Sequence, residues 1–229
     1  MIIMKVDSIK LRDVWFRYRG LSNWVIREVN LDIYRDRIIV IRGPNGSGKT
    51  TLMKIISLLY RPSRGFIYVD DVDYWNINGR DRYNIKREIV YVHEKPILLR
   101  DNVMNNIIYV LKIRNQLSER SVEEVRDLLK RFMLENLENR RAQELSAGQA
   151  QLISIVRALV LHPSFLLLDE PVSNLDRERR KSLIEVLREY RENYKTGLII
   201  SLHEDTLLKD LEPDEVYRVK DGSVLIDTI

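Results

Sequence analysis

Cysteine is absent from all 229 residues, so disulfides, thiolate metal sites and cysteine nucleophiles are excluded. No apolar run reaches the roughly 20 residues that a membrane-spanning helix needs. The opening residues, Met1 to Asp7, lack the basic-then-apolar order of a secretory signal, and a soluble, cytoplasmic protein is expected. An excess of one charge is missing too: 38 basic against 34 acidic residues leave a formal +4, with the basic residues scattered among acids. That distribution gives no nucleic-acid footprint, and direct nucleic-acid binding is not expected. The densest basic stretch, Arg177 to Lys181, falls early in a helical pattern and reads as a solvated face or a partner contact. Internal repeats and low-complexity segments are also absent. The length suits one well-buried core, and the chain is read as a single domain over residues 1–229.

What is present is concentrated. The run Gly43-Pro44-Asn45-Gly46-Ser47-Gly48-Lys49-Thr50-Thr51 directly follows the apolar stretch Ile38 to Ile41. A strand feeding a glycine-rich turn that opens a helix points several backbone N–H groups inward, and the helix N-terminus adds partial positive charge. Polyphosphate is then held mostly by main chain, and the chain is read as binding a nucleoside triphosphate. Gly46 and Gly48 let the backbone approach closely, Lys49 brings a point charge to the β- and γ-phosphates, and the Thr50 hydroxyl is placed to ligate Mg²⁺.

The fold expected around this loop is α/β. Short strands are predicted over Lys10 to Tyr18, Val29 to Tyr34 and Gly65 to Asp70, with a helix from Thr50 to Tyr60 carrying Leu52, Ile55, Ile56 and Leu59 on one face. Helical spacing over Val103 to Ile113, Val122 to Met133 and Gly148 to Leu161 predicts an α-helical subdomain within residues 97–160. Strands return at Phe165 to Leu168, an unbroken apolar run suited to a central parallel strand, and at Gly197 to Ser201. A helix over Arg177 to Asn193 and a terminal hairpin around Lys220 to Ser223 complete the pattern.

Asp169 and Glu170 stand at the end of the Phe165–Leu168 strand, the edge where open parallel sheets place ligands. An aspartate there can hold Mg²⁺ through water, and the adjacent glutamate can orient and polarise a water for attack on the γ-phosphate. Leu145-Ser146-Ala147-Gly148-Gln149 opens another helix, with Ser146 as N-cap and bare backbone N–H groups behind it.

Together, and in this order, these motifs resemble the ATPase subunits of ABC transporters over nearly the whole chain. Gly43 to Thr51 is similar to the Walker A loop, Leu145 to Gln149 to the LSGGQ signature and Phe165 to Glu170 to the Walker B strand. Ser173 to Asp176 resembles the D-loop and His203 the switch histidine. The resemblance implies a P-loop NTPase core with a mostly parallel sheet, an antiparallel β subdomain and the helical subdomain. It implies ATP and Mg²⁺ as cofactors, with Tyr18 stacking on adenine and Trp24 as its rival. It also implies an ATP-sandwich dimer of two cassettes, in which Ser146, Gly148 and Gln149 act on the nucleotide of the partner and Asp176 lines the contact. His203 would bond the γ-phosphate beside Glu170.

Two positions depart from the family pattern. Ala147 replaces the first signature glycine, a small change that favours helix. Glu94, in Tyr91-Val92-His93-Glu94-Lys95-Pro96, stands where the family usually has glutamine; its carboxylate either reaches Mg²⁺ or the attacking water, or turns to solvent. The segment Lys95 to Val103 lies where the family docks a transmembrane permease, and it is similar to importers of oxyanions such as tungstate or molybdate. A cytoplasmic subunit held at the membrane through its permease is the expectation. An exporter subunit and a lone accessory ATPase are the alternatives. Chromosome and repair ATPases insert long coiled coils between P-loop and signature, whereas Lys49 and Ser146 are 97 positions apart here.

Overall fold

A computed structural model describes residues 5–203 and 208–227; Met1 to Met4, part of the opening read for a secretory signal, lie outside the described residues. Strands β1 (Ser8–Phe16) and β2 (Ile26–Tyr34) pair antiparallel and are joined by β4 (Arg64–Val69) and β5 (Val72–Asp73) in the order β2-β1-β4-β5. Within β1 the buried positions run Ile9, Leu11, then Val14, Phe16, a change of phase that a simple strand cannot make. Asp13 adopts φ 47° at the register shift, so a bulge restores the inward face. Gly65 is required opposite it, because a Cβ there would lie 2.1 Å from the Asp13 carbonyl.

The second sheet has the order β10-β9-β3-β8-β7-β6. It comprises β3 (Ile38–Arg42), β6 (Ile89–Val92), β7 (Phe165–Asp169), β8 (Gly197–Leu202), β9 (Glu215–Lys220) and β10 (Ser223–Asp227). All pairings are parallel except the terminal hairpin β9–β10. Strand alternation divides the core. Ile38, Val40, Leu166, Leu168, Leu198 and Ile200 face one apolar cluster, while Ile39, Ile41, Phe165, Leu167 and Ile199 face another, shared with the antiparallel sheet. Both faces being covered explains why these strands read as continuous apolar runs.

Helix α1 (Lys49–Ile56) packs in the second cluster. Helices α3 (Val103–Ile113), α4 (Glu119–Arg131), α5 (Ala147–Leu159) and α6 (Arg177–Tyr194) pack in the first. The expected helix at Val103 to Ile113 has the bounds read from sequence, opened by the Asn102 side chain accepting from Asn105 N at 2.7 Å. Two expectations need correction. Helix α1 stops at Ile56 rather than Tyr60, because Leu58 turns left-handed (φ 60°) and the N–H groups of Leu58 and Leu59 close back on the carbonyls of Ile55 and Lys54. Leu59 is consequently exposed and not part of the buried face. Tyr18 lies past the end of β1, not within a strand. Helix α2 (Gly79–Arg87) was not foreseen; Ile85 is its one buried residue, too little for an apolar period to register.

The parallel strands end at one edge. The segments leaving β3, β8, β7 and β6 there begin with Gly43, His203, Glu170 and His93, so strand order alone gathers the P-loop, the histidine, the acidic pair and Glu94.

Candidate nucleotide site

The P-loop backbone is left-handed at Gly46 (φ 78°) and Gly48 (φ 109°). A Cβ on Gly48 would also press to 3.1 Å from the Val25 carbonyl, so glycine is required there by both conformation and space. Lys49 is buried and folds back over the loop, donating to the Gly43 carbonyl at 2.8 Å and lying 3.6 Å from Glu170 Oε1. Ser47 Oγ is buried without a hydrogen-bond partner, and Gly48 leaves the start of α1 without a side-chain cap. A cation, an unsatisfied hydroxyl and uncapped N–H groups around one turn fit a polyphosphate. Thr50 is exposed on the first turn of α1, open to a metal held by that polyphosphate, while Asn45 and Gly46 form the exposed crest.

Asp169 is 1% exposed, and both its oxygens are engaged: Ser201 Oγ donates to Oδ1 at 2.5 Å and the Tyr91 hydroxyl to Oδ2 at 2.7 Å. Burial first, then the neighbouring Asp169 charge, push the Tyr91 phenol above its ordinary range, so it acts as a donor. Glu170 takes a left-handed backbone (φ 47°), a conformation that costs about 1–2 kcal/mol outside glycine. Its N–H donates to Ser201 Oγ at 2.9 Å, which holds the turn. Ser201 therefore serves both acidic neighbours. Neither Tyr91 nor Ser201 was singled out from sequence; a lone hydroxyl in the apolar run Leu198 to Leu202, two residues before His203, was the available signal.

Glu94 is exposed, and its charge reaches Tyr91. His203 is exposed directly after β8. The imidazole of His93 is held below its ordinary pKa by burial and by Lys54, partly offset by Asp169. Among the described residues no three His, Asp or Glu side chains gather into a metal site. The Thr50 hydroxyl and the Asp169 carboxylate are oxygen donors of the kind a hard cation such as Mg²⁺ takes.

Tyr18 donates to or accepts from Thr51 Oγ1 at 2.9 Å and sets its ring edge-on to Phe16 and Tyr60. Trp24 has the Arg17 and Arg64 guanidinium groups over its ring, at 4.8 and 5.2 Å. Tyr18 thus sits against the P-loop helix, whereas the Trp24 ring already carries two cations.

The signature segment is capped by its own side chains. Ser146 and Gln149 satisfy each other in a capping box, Gln149 N donating to Ser146 Oγ at 3.2 Å and Ser146 N to Gln149 Oε1 at 2.9 Å. A Cβ on Gly148 would meet the Asn174 carbonyl at 2.3 Å, so α5 rests directly on the segment Ser173 to Asp176. No hydrogen bond or ion pair among the described residues joins Ser146, Gly148 or Gln149 to the P-loop of the same chain.

Residues 26–173 match the ABC transporter family model. A putative ABC transporter ATP-binding protein of Pyrococcus abyssi is 34% identical over 221 residues, spanning 94% of this chain and 81% of that protein. The tungstate uptake system ATP-binding protein TupC of Peptoclostridium acidaminophilum is 33% identical over 192 residues, 84% of this chain and 82% of its own. The Fe(3+) ions import ATP-binding protein FbpC of Photobacterium profundum is 31% identical over 96% of this chain, which spans 60% of that longer protein. Among solved structures, a dimeric post-hydrolysis state of an ATP-binding cassette bound to ADP and Pi superposes with a TM-score of 0.85 at 25% identity, covering 96% of this chain and 98% of the other. With the P-loop, the acidic strand end and the signature helix arranged in one such fold, the chain belongs to the ABC transporter family and is one of its ATP-binding, ATP-hydrolysing cassettes that power transport.

Proposed function

We propose that two copies of this cassette close on two ATP molecules at the cytoplasmic face of a membrane permease and drive the import of an inorganic oxyanion. The observation that carries the catalytic part is the convergence of Lys49, Glu170 and a doubly held Asp169 at one sheet edge. Lys49 and the N–H groups from Asn45 to Thr51 hold the phosphates. Thr50 and Asp169, with Glu94 beside them, form the side that takes Mg²⁺, which when bound neutralises phosphate charge as it develops. Glu170 orients and polarises the attacking water, and His203 faces the γ-phosphate from the neighbouring loop. Tyr18 flanks the adenine.

The signature belongs to the other subunit's nucleotide. Ser146, Gly148 and Gln149 share no hydrogen bond or ion pair with their own P-loop among the described residues and present a helix start, which suits them to a phosphate bound by a second copy. ATP then joins the dimer and hydrolysis loosens it, coupling the two sites. The segment Lys95 to Val103 exposes Ile97 and Leu99 beside the helical subdomain and supplies the permease contact. Likeness to the tungstate and Fe(3+) import subunits supports the direction of transport, and the tungstate relative, matched over most of its length, supports the oxyanion. The residues 1–229 act as one domain.

Glu170→Gln tests the catalytic assignment. Hydrolysis should fall roughly 10²–10⁴-fold, the usual loss for a general base, while ATP binding persists and a stable ATP-bound dimer elutes in size exclusion. Near-normal turnover would refute it and direct attention to Glu94 or His203. Co-purification with a polytopic membrane protein, and ATPase stimulation by tungstate or molybdate with its binding protein in the reconstituted assembly, test the transport assignment; a cassette that isolates alone would favour an accessory ATPase.

A further inference from the structure

The two bonds that fix Asp169 differ in origin. Ser201 is its register partner across β7 and β8, so that bond follows from the strand pairing itself. Tyr91 reaches Asp169 from β6, one residue before that strand ends and two before His93. Its ring meets the His93 ring edge-on at 4.6 Å, and the His93 carbonyl accepts from Gln151 Nε2 of α5 at 3.2 Å. The Tyr91 side chain packs against the apolar cluster that holds α1, and the backbone that follows it is tied at His93 to the helix that begins at the signature. A carboxylate's terminal torsion is broad and nearly two-fold, so one donor on each oxygen is what confines it. Removing the phenol would leave Oδ2 buried without its donor and free the carboxylate to rotate about the Ser201 bond.

We propose that Tyr91 is a positioning residue for the nucleotide-bound metal: its hydroxyl sets the rotation of the Asp169 carboxylate, so that the metal-side oxygen is presented before ATP arrives. This rests on the reading of Asp169 as the metal-side carboxylate. The test separates the two. In a Glu170→Gln background, chosen to slow turnover, ATP affinity is measured by equilibrium titration in EDTA and again in saturating Mg²⁺, the ratio giving the gain due to the metal. Tyr91→Phe keeps the ring and its packing on His93, and a thermal melt verifies the fold. It should leave the EDTA affinity unchanged and lower the Mg²⁺-dependent gain about five-fold, the worth of one hydrogen bond. Asp169→Asn should abolish the gain.

An unchanged gain in Tyr91→Phe beside a lost gain in Asp169→Asn overturns the inference. So does a Tyr91→Phe protein that loses affinity equally with and without Mg²⁺, since that is a general structural defect. An unchanged gain in Asp169→Asn overturns the reading of Asp169 and the inference with it.

Discussion

Two helices in this chain begin at motifs that the proposed function sets against phosphate, and they are prepared in opposite ways. Helix α1 starts at Gly48, left-handed and without a side-chain cap, so its first N–H groups and the Ser47 hydroxyl are left for a ligand. Helix α5 starts at Ser146, whose side chain and that of Gln149 satisfy each other's backbone. The first end is incomplete without an anion; the second is complete by itself. A site assembled from one of each has an anchor that binds ATP in a single chain and a closing surface that remains stable while it waits for a partner.

The largest effect expected from breaking this contrast is at the anchor. Lys49→Ala removes the cation that lies across the loop, and ATP binding to the single chain should weaken roughly 10- to 100-fold by equilibrium titration, in line with a charge-assisted hydrogen bond. Ser146→Ala should leave that measurement alone.

At the closing surface, Ser146→Asp sharpens the contrast. Aspartate caps a helix as well as serine and suits its dipole, so the melting temperature should hold. The added charge would oppose the partner's γ-phosphate, and ATP-driven dimerisation in sedimentation should be lost. Persisting dimers would place the signature away from nucleotide. Ser146→Ala, by comparison, should cost about 1 kcal/mol of stability in denaturant titration through the lost cap.

The smallest effect concerns support from outside the loop. Arg42, the residue before the P-loop, donates to Asp227 Oδ2 at 2.5 Å, and Arg218 donates to the same oxygen at 2.8 Å. These bonds, Arg42 first, depress the Asp227 carboxyl to about 2. Its folded pKa lies below the unfolded value near 3.9, so its stabilisation is full above about pH 4 and is lost as pH falls toward 2. Asp227→Asn should therefore melt slightly below the parent at pH 7, with the difference closing between pH 4 and pH 2. A constant difference across that range would show that the two arginines do not stabilise the charged form.

How much was readable follows from where each signal resides. The P-loop glycines and the Ser146 N-cap are local devices, and sequence displays local devices directly; the reciprocal Gln149 bond and the Asn102 cap were not read from it. Helix α1 was overextended because Leu58 closes it in a left-handed turn that is normally glycine's, so no breaker residue announced the end. Helix α2 escaped notice because one buried residue makes no period. Tyr91 and Ser201 escaped because each acts on a residue in another strand: an aromatic and a serine in apolar runs read as strand packing until their partners are known.

The sequence by itself determined the chemistry available: a phosphate loop, an acidic pair, a signature helix and a chain without cysteine. It also marked the Phe165–Leu168 strand as covered on both faces, since a continuous apolar run is a property of consecutive residues. Only the tertiary structure decided which strands are neighbours. The order β3-β8-β7-β6 brings Lys49 within 3.6 Å of Glu170 and seats Asp169 between Ser201 and Tyr91. That order is fixed by how two helical and sheet layers cover both faces of the parallel sheet at once, a condition on the whole core that no local stretch of residues expresses.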